Sequence, residues 1–337
     1  MTSRITWDEA SARRYERQLL GAPAPAGTPV AGVVSTLLAT HAQVLSAAEL
    51  SVGLRLDGAT RQDVRAALWD DRSLVKTYGP RGTIHLLAAA ELPFWSAALT
   101  AVPSGAGAPP GVRMTPGQEE QVVAAIGDAL DGRQLTIDEL SEEVVARTGP
   151  WAGDLVMEAF QGKWPRWRQV MHRTGQSGAL CFAPNRGRKA AYTRPPRFDP
   201  LPADEALATL VRHYLHAYGP ATPQHFAKWA AAPRGWAAGL FTTLASSGGI
   251  EEVDFEGAPA GWWRATRTSR QKRYVGCGCS PTSTRTPSPP SPASGCSPAR
   301  RTSGPWRAGR RGTFRCCSST VWSPGSGTSG GRGSGRR

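Results

Sequence analysis

Aliphatic periodicity runs through the first 263 residues of the chain and then stops, so only that stretch can build a core. From about Trp263 onward the sequence turns to Ser, Pro, Gly, Arg and Cys, a composition with little apolar surface to offset chain entropy. Residues 264–337 are therefore expected to be a disordered tail. Charge divides at the same place. Of the 40 Lys and Arg and 26 Asp and Glu, 15 basic and no acidic residues lie in 264–337, leaving 25 basic against 26 acidic in the body. The net charge of +14 thus belongs to the tail, which would attract nucleic acid nonspecifically, and not to the body. Five of the six cysteines (Cys277, Cys279, Cys296, Cys316 and Cys317) also fall in the tail, and only Cys181 lies in the body. A disulfide framework is not supported. No run approaches 18 apolar residues, and the first 14 residues lack the apolar core of a signal peptide. A cytoplasmic protein with no membrane partner is expected.

The body is long enough for two or three small domains, and its pattern repeats. Apolar residues at helical spacing predict helices over about 8–19, 29–40, 43–56 and 60–69, the last with Thr60 as N-cap and Asp63 three positions on. Two strand-like pieces follow, Leu74 to Thr77 and Thr83 to Leu87, joined by Tyr78-Gly79-Pro80-Arg81-Gly82. Helices followed by a two-stranded ribbon form the winged-helix plan, an elaboration of helix-turn-helix. After the linker Pro103 to Gly111, helices are expected at about 116–130, 136–147 and 165–174, with ribbon strands at about 179–183 and 190–193. A third pass gives helices at about 203–217, 222–231 and 235–246 and a strand at 250–255. The expected fold class is mainly α with small β-hairpins (α+β): tandem winged-helix units at 1–102, 111–197 and 198–263, the third truncated, then the tail 264–337.

Two stretches of the first unit carry a specific resemblance. Thr77-Tyr78-Gly79-Pro80-Arg81-Gly82-Thr83-Ile84-His85-Leu86-Leu87 is similar to the RGTLH strand of the tandem winged-helix bacterial alkyl-DNA glycosylases, which act on crosslinked and N7-alkylated purines. Leu37-Leu38-Ala39-Thr40-His41-Ala42-Gln43 resembles the segment bearing that family's catalytic Q-x-Q motif, with His41 where the commoner motif has its first Gln and Gln43 matching the second. The resemblance implies a monofunctional DNA glycosylase, a hydrolase of DNA repair or of self-resistance to DNA-alkylating natural products. It would bind double-stranded DNA, preferably alkylated, with no obligate protein partner, and would sit with the nucleoid.

The chemistry fits those residue types. An ordinary glycoside needs one carboxylic acid to protonate the leaving oxygen and a second carboxylate as base or nucleophile. An N7-alkylated guanine already carries positive charge, so what remains is to position a water and stabilise an oxocarbenium-like sugar. A Gln carbonyl can accept a hydrogen bond from that water, and a neutral imidazole can take its proton. Two residues apart, His41 and Gln43 do not share a helix face, so the pair should lie at a helix start or a distorted turn. On their own, His41 would read as a helix-end histidine, Gln43 as a capping or solvated residue, and His85 as a strand residue packed against the first unit.

Arg81, Lys163, Arg166, Arg168, Arg173, Arg186, Arg188 and Lys189 are the candidate phosphate contacts. Trp164 and Trp167 interleave the cluster from Lys163 to Lys189 and read first as core anchors. No zinc-ligand spacing, Walker loop or nucleotide-binding Gly motif occurs, so neither cofactor nor metal is expected. A noncatalytic winged-helix DNA-binding protein, or an inactive truncated member of the family, would present the same basic residues.

The tail has a further reading. Codons built from the third base of one residue and the first two of the next are compatible with Val-Arg-Leu-Leu-Pro-Tyr-Phe-Asp across Gly276 to Ser283. From Phe314 to Gly327 they allow Pro-Leu-Leu-Leu-Val-Asp-Gly-Val-Val-Ala-Gly-Val-Trp, and Cys316 into Cys317 can yield only leucine. Both strings look like buried strands and resemble the C-terminal part of the same family. A one-base deletion near Gly261 would produce the observed tail.

Overall fold

The structure, a computed structural model, describes residues 3–103, 108–159 and 162–263, and the expected tail at 264–337 lies outside the described residues. The described part is three winged-helix groups in series, all with one connectivity. In the first, α1 (Val30–Thr36) leads through β1 (Thr40–His41) to α2 (Leu45–Gly53), α3 (Arg61–Trp69), β2 (Leu74–Tyr78) and β3 (Ile84–Ala88), with sheet order β1-β3-β2. Thr60 caps α3 in a capping box with Asp63, as the sequence predicts. The predicted helices 29–40 and 43–56 are both shorter than expected, and the chain between them holds β1.

A helix absent from the sequence reading, α4 (Leu92–Ala101), then buries Leu92, Phe94, Trp95 and Ala98. The second group runs α5 (Pro116–Ala129), β4 (Leu135–Thr136), α6 (Ile137–Thr148), β5 (Leu155–Ala159), β6 (Gly162–Pro165), α7 (Met171–Gln176), β7 (Cys181–Arg186) and β8 (Lys189–Thr193). Its sheet order β4-β8-β7 repeats that of the first group. The hairpin β5–β6 is an insertion before the third helix and has no counterpart among the described residues of the other two groups.

The third group comprises α8 (Ala203–Tyr218), α9 (Pro223–Ala230), α10 (Arg234–Ser246), β9 (Glu251–Phe255) and β10 (Ala258–Trp262). Its first strand is reduced to one antiparallel bridge, Ala221 to Gly261, and β10, which the sequence reading leaves out, closes the ribbon. The N-terminal segment joins this group rather than the one that follows it in sequence. Strand Arg4–Ile5 pairs parallel with β9, and helix Trp7–Arg17 packs Ala10 against Val253, Phe255, Ala260 and Trp262.

Each group has its own core, and α4 ties the first to the third. Val33, Val34, Leu68, Leu74 and Leu86 fill the first, while Ile126, Leu140, Trp167 and Leu180 fill the second. Leu92, Trp95 and Ala98 of α4 merge with Leu210, Val211 and Phe226 of the third. Among the described residues, no helix is long and apolar enough to cross a membrane.

Candidate active site

The H-x-Q stretch lies where the first strand of the first group hands over to its second helix, with His41 in the strand and Gln43 in the bend that follows. Thr40 pairs with Leu86 and His41 with His85 across β1 and β3, and Ala42 N–H donates to the Ile84 carbonyl at 2.7 Å. Side chains alternate along extended chain. Thr40 and Ala42 are buried, while His41 and Gln43 are both exposed. His41 ends the strand and Gln43 lies in the bend that leads into α2, so the pair stands at a helix start, as the spacing predicts.

The same junction in the other two groups is built differently. There the strand leads at once into a helix capped by Thr136 with Glu139, or by Thr222 with His225, each a reciprocal capping box. In the first group Ala42 and Gln43 intervene, and α2 starts from Val44, which makes no side-chain cap and is 61% exposed. Giving up such a cap costs about 1 kcal/mol. The chain enters β1 through Leu38 (φ 55°) and Ala39 (φ 76°), left-handed conformations that cost non-glycine residues about 1–2 kcal/mol each. The Thr40 hydroxyl is buried without a hydrogen-bond partner among the described residues. Departures from local preference cluster at functional sites, and here they bracket His41 and Gln43.

Beneath the exposed pair lies His85, which the sequence reading treats mainly as a packing residue. It is 7% exposed, and its ring stands edge-on to that of His41 at 5.3 Å between centroids. Nδ1 lies 2.9 Å from the Thr83 carbonyl, which can only accept, so Nδ1 carries the proton. Burial first, and then His41 and Arg81, push the imidazole down to about 4 against the upward pull of the Thr83 carbonyl. His85 is therefore neutral at neutral pH. Its contact with His41 is invisible until the pairing of β1 with β3 is known. The unfolded chain takes up this proton near pH 6.5, before the folded chain can. Stability is then full above that pH and falls as pH drops toward 4, with a loss of about 2 kcal/mol by pH 5 from this residue. Urea unfolding between pH 5 and 7 should show a flatter pH dependence for His85→Asn than for the native chain, and equal profiles would contradict this assignment.

The AlkZ-like DNA glycosylase family matches the chain over residues 34–275. The chain belongs to the AlkZ-like DNA glycosylase family. It is 35% identical over 238 residues to the interstrand DNA cross-link repair glycosylase of Streptomyces sahachiroi, covering 67% of this chain and 61% of that protein. The solved structure of the Streptomyces sahachiroi DNA glycosylase AlkZ is similar with a TM-score of 0.63 at 29% identity, over 78% of this chain and 71% of that one. The AlkZ-like chain thus spans less than two thirds of its curated relative.

The basic residues of this AlkZ-like chain divide by their partners. Arg166 binds the Val112 and Trp151 carbonyls and Asp154, Arg173 pairs with Glu119, Arg186 with Glu139, Lys189 with Asp138 and Lys163 with Glu158. Arg81, Arg168 and Arg188 form no ion pair among the described residues. Arg81, at φ 60° in the first wing, donates to the Trp229 carbonyl at 3.2 Å, and Arg168 stacks 4.2 Å above Trp164. The two tryptophans part ways: Trp167 is fully buried, whereas Trp164, on the inserted hairpin, is 44% exposed. Cys181 is buried, and burial pushes its thiol up to about 12, which leaves it unreactive.

Proposed function

We propose that this chain is a monofunctional DNA glycosylase hydrolysing the N-glycosidic bond of bulky or crosslinked N7-alkylpurines in duplex DNA. The observation that carries this reading is the exposure of both His41 and Gln43 at a strand-to-helix junction that has no side-chain cap. Family membership and the 35% identity to an interstrand cross-link repair glycosylase support it. In the proposed step, Gln43 accepts a hydrogen bond from a water that His41 deprotonates. The water oxygen bonds to C1′ as the bond from C1′ to N9 breaks, and the base leaves with that electron pair, which neutralises its charge. Residues of this chain hold the water and move one proton, and the cationic leaving group makes a strong general acid unnecessary.

The three winged-helix units at 1–102, 111–197 and 198–263 would lie along the duplex in the nucleoid, the partner being alkylated DNA. Their third helices α3, α7 and α10 occupy the recognition position of the helix-turn-helix plan. Arg81, Arg168 and Arg188 are the foremost phosphate contacts, because the other candidates must first exchange a carboxylate for a phosphate.

The direct test is to incubate the full chain with duplex carrying a defined N7-alkylguanine adduct and to measure free base by chromatography alongside gel retardation. Release of the base with formation of an abasic site is expected. Retardation without release would favour the noncatalytic DNA-binding reading.

A further inference from the structure

We infer that His85 is the positioning residue of the site, seating the His41 imidazole against its own ring so that His41 faces the same side as Gln43. The inference rests on the glycosylase reading for its activity readout, but not for its geometry. His41 is exposed at the end of a two-residue strand, and an exposed imidazole explores several rotamers. The ring of His85 stands against it, placed directly opposite by strand register and met edge-on at 84°.

That wall is itself fixed. His85 is buried in β3, and the Thr83 carbonyl receives both the His85 Nδ1 proton at 2.9 Å and the Gly79 N–H at 2.9 Å. The turn between β2 and β3 thus locks the ring from its own strand, leaving the rest of the ring for His41. Gly79 shows how close the fit is. A Cβ at that position would stand 2.8 Å from His85 Nδ1 and 2.9 Å from Cγ, with no other neighbour nearer than the His85 Cβ at 3.1 Å. At φ −107° and ψ −148°, before Pro80, its backbone lies outside the β region, so glycine at 79 suits both the backbone and the close approach of the His85 side chain.

This yields a way to disturb the wall. His85→Asn keeps a donor for the Thr83 carbonyl and removes the ring beyond it. It should lower single-turnover base release from N7-alkylguanine duplex by about tenfold to a hundredfold, the scale of an ångström-sized misplacement, at unchanged duplex affinity. Ring-proton NMR shifts of His41 should move toward solvent-exposed values in His85→Asn in the absence of DNA. Unchanged His41 shifts would overturn the assignment. His41→Ala inactive with His85→Asn at native rate would overturn it while leaving the glycosylase reading intact. His41→Ala at native rate would instead sink that reading, with the NMR result still deciding the contact.

Discussion

Trp167→Ala is expected to destabilise the second winged-helix group by about 3–5 kcal/mol, the cost of emptying a fully buried indole site. Trp167 has no solvent exposure and packs with Val170, Leu140 and Ala152, and its indole N–H donates to the Ser141 hydroxyl at 3.0 Å. Truncation leaves both a cavity and a hydroxyl without its donor. The comparison residue lies three positions away in sequence. Trp164 is on the inserted hairpin at 44% exposure, with Arg168 above its ring, and Trp164→Ala should change stability by no more than about 0.5 kcal/mol. An exposed indole paired with a cation suits contact with bases or backbone of DNA, so Trp164→Ala should weaken duplex binding instead. Denaturant unfolding followed by near-ultraviolet circular dichroism, with binding measured on the same variants, checks both. A stable Trp167→Ala, or an unstable Trp164→Ala, would contradict the division between core and surface.

Much of the helical plan was legible because capping and period are local. Thr60 with Asp63 and the ribbon Leu74–Tyr78 to Ile84–Ala88 stand where the sequence puts them. What escaped is non-local or too short to have a period. Thr40–His41 and Leu135–Thr136 are two-residue strands, defined only by partners about 45 and 55 residues on. Leu37-Leu38-Ala39 extends the apolar run of α1, and only the left-handed turn at Leu38 and Ala39 ends it. In α4, Pro93 sits at the second position, where a helix tolerates it, so a segment given no element from sequence is helical. The pairing of Arg4–Ile5 with Asp254–Phe255 joins the two ends of the described chain and leaves no mark in either segment. Charge was equally ambiguous. Arg173 and Arg186 are visible as cations, but Glu119 and Glu139, which neutralise them, lie on α5 and α6.

The chemistry-bearing pair was legible, and so was its place before a helix, but the strand that holds it was not. His41 and Gln43 stand out by resemblance, and their spacing pointed to a helix start or a distorted turn. They lie at a strand end and bend leading into α2. Only the structure shows that two internal repeats fill the same junction with capping threonines, Thr136 and Thr222.

The central claim concerns these two side chains, and both should be needed for one step. His41→Ala removes the group proposed to take the proton, and Gln43→Ala removes the carbonyl proposed to hold the water. General base catalysis contributes about 10²–10⁴-fold, and a loss of about 10²-fold or more is expected from each substitution. Both side chains are exposed and neither fills a core, so stability should stay within about 0.5 kcal/mol of the native chain. His41→Gln should retain part of the activity, because an amide still orients water though it cannot take the proton. The decisive measurement is single-turnover release of an N7-alkylguanine from duplex DNA at saturating protein, for the native chain, His41→Ala, Gln43→Ala and His41→Gln, with duplex affinity determined in parallel. The account predicts a large loss for both alanine variants at equal affinity and partial recovery with glutamine; native rates in both alanine variants would contradict it.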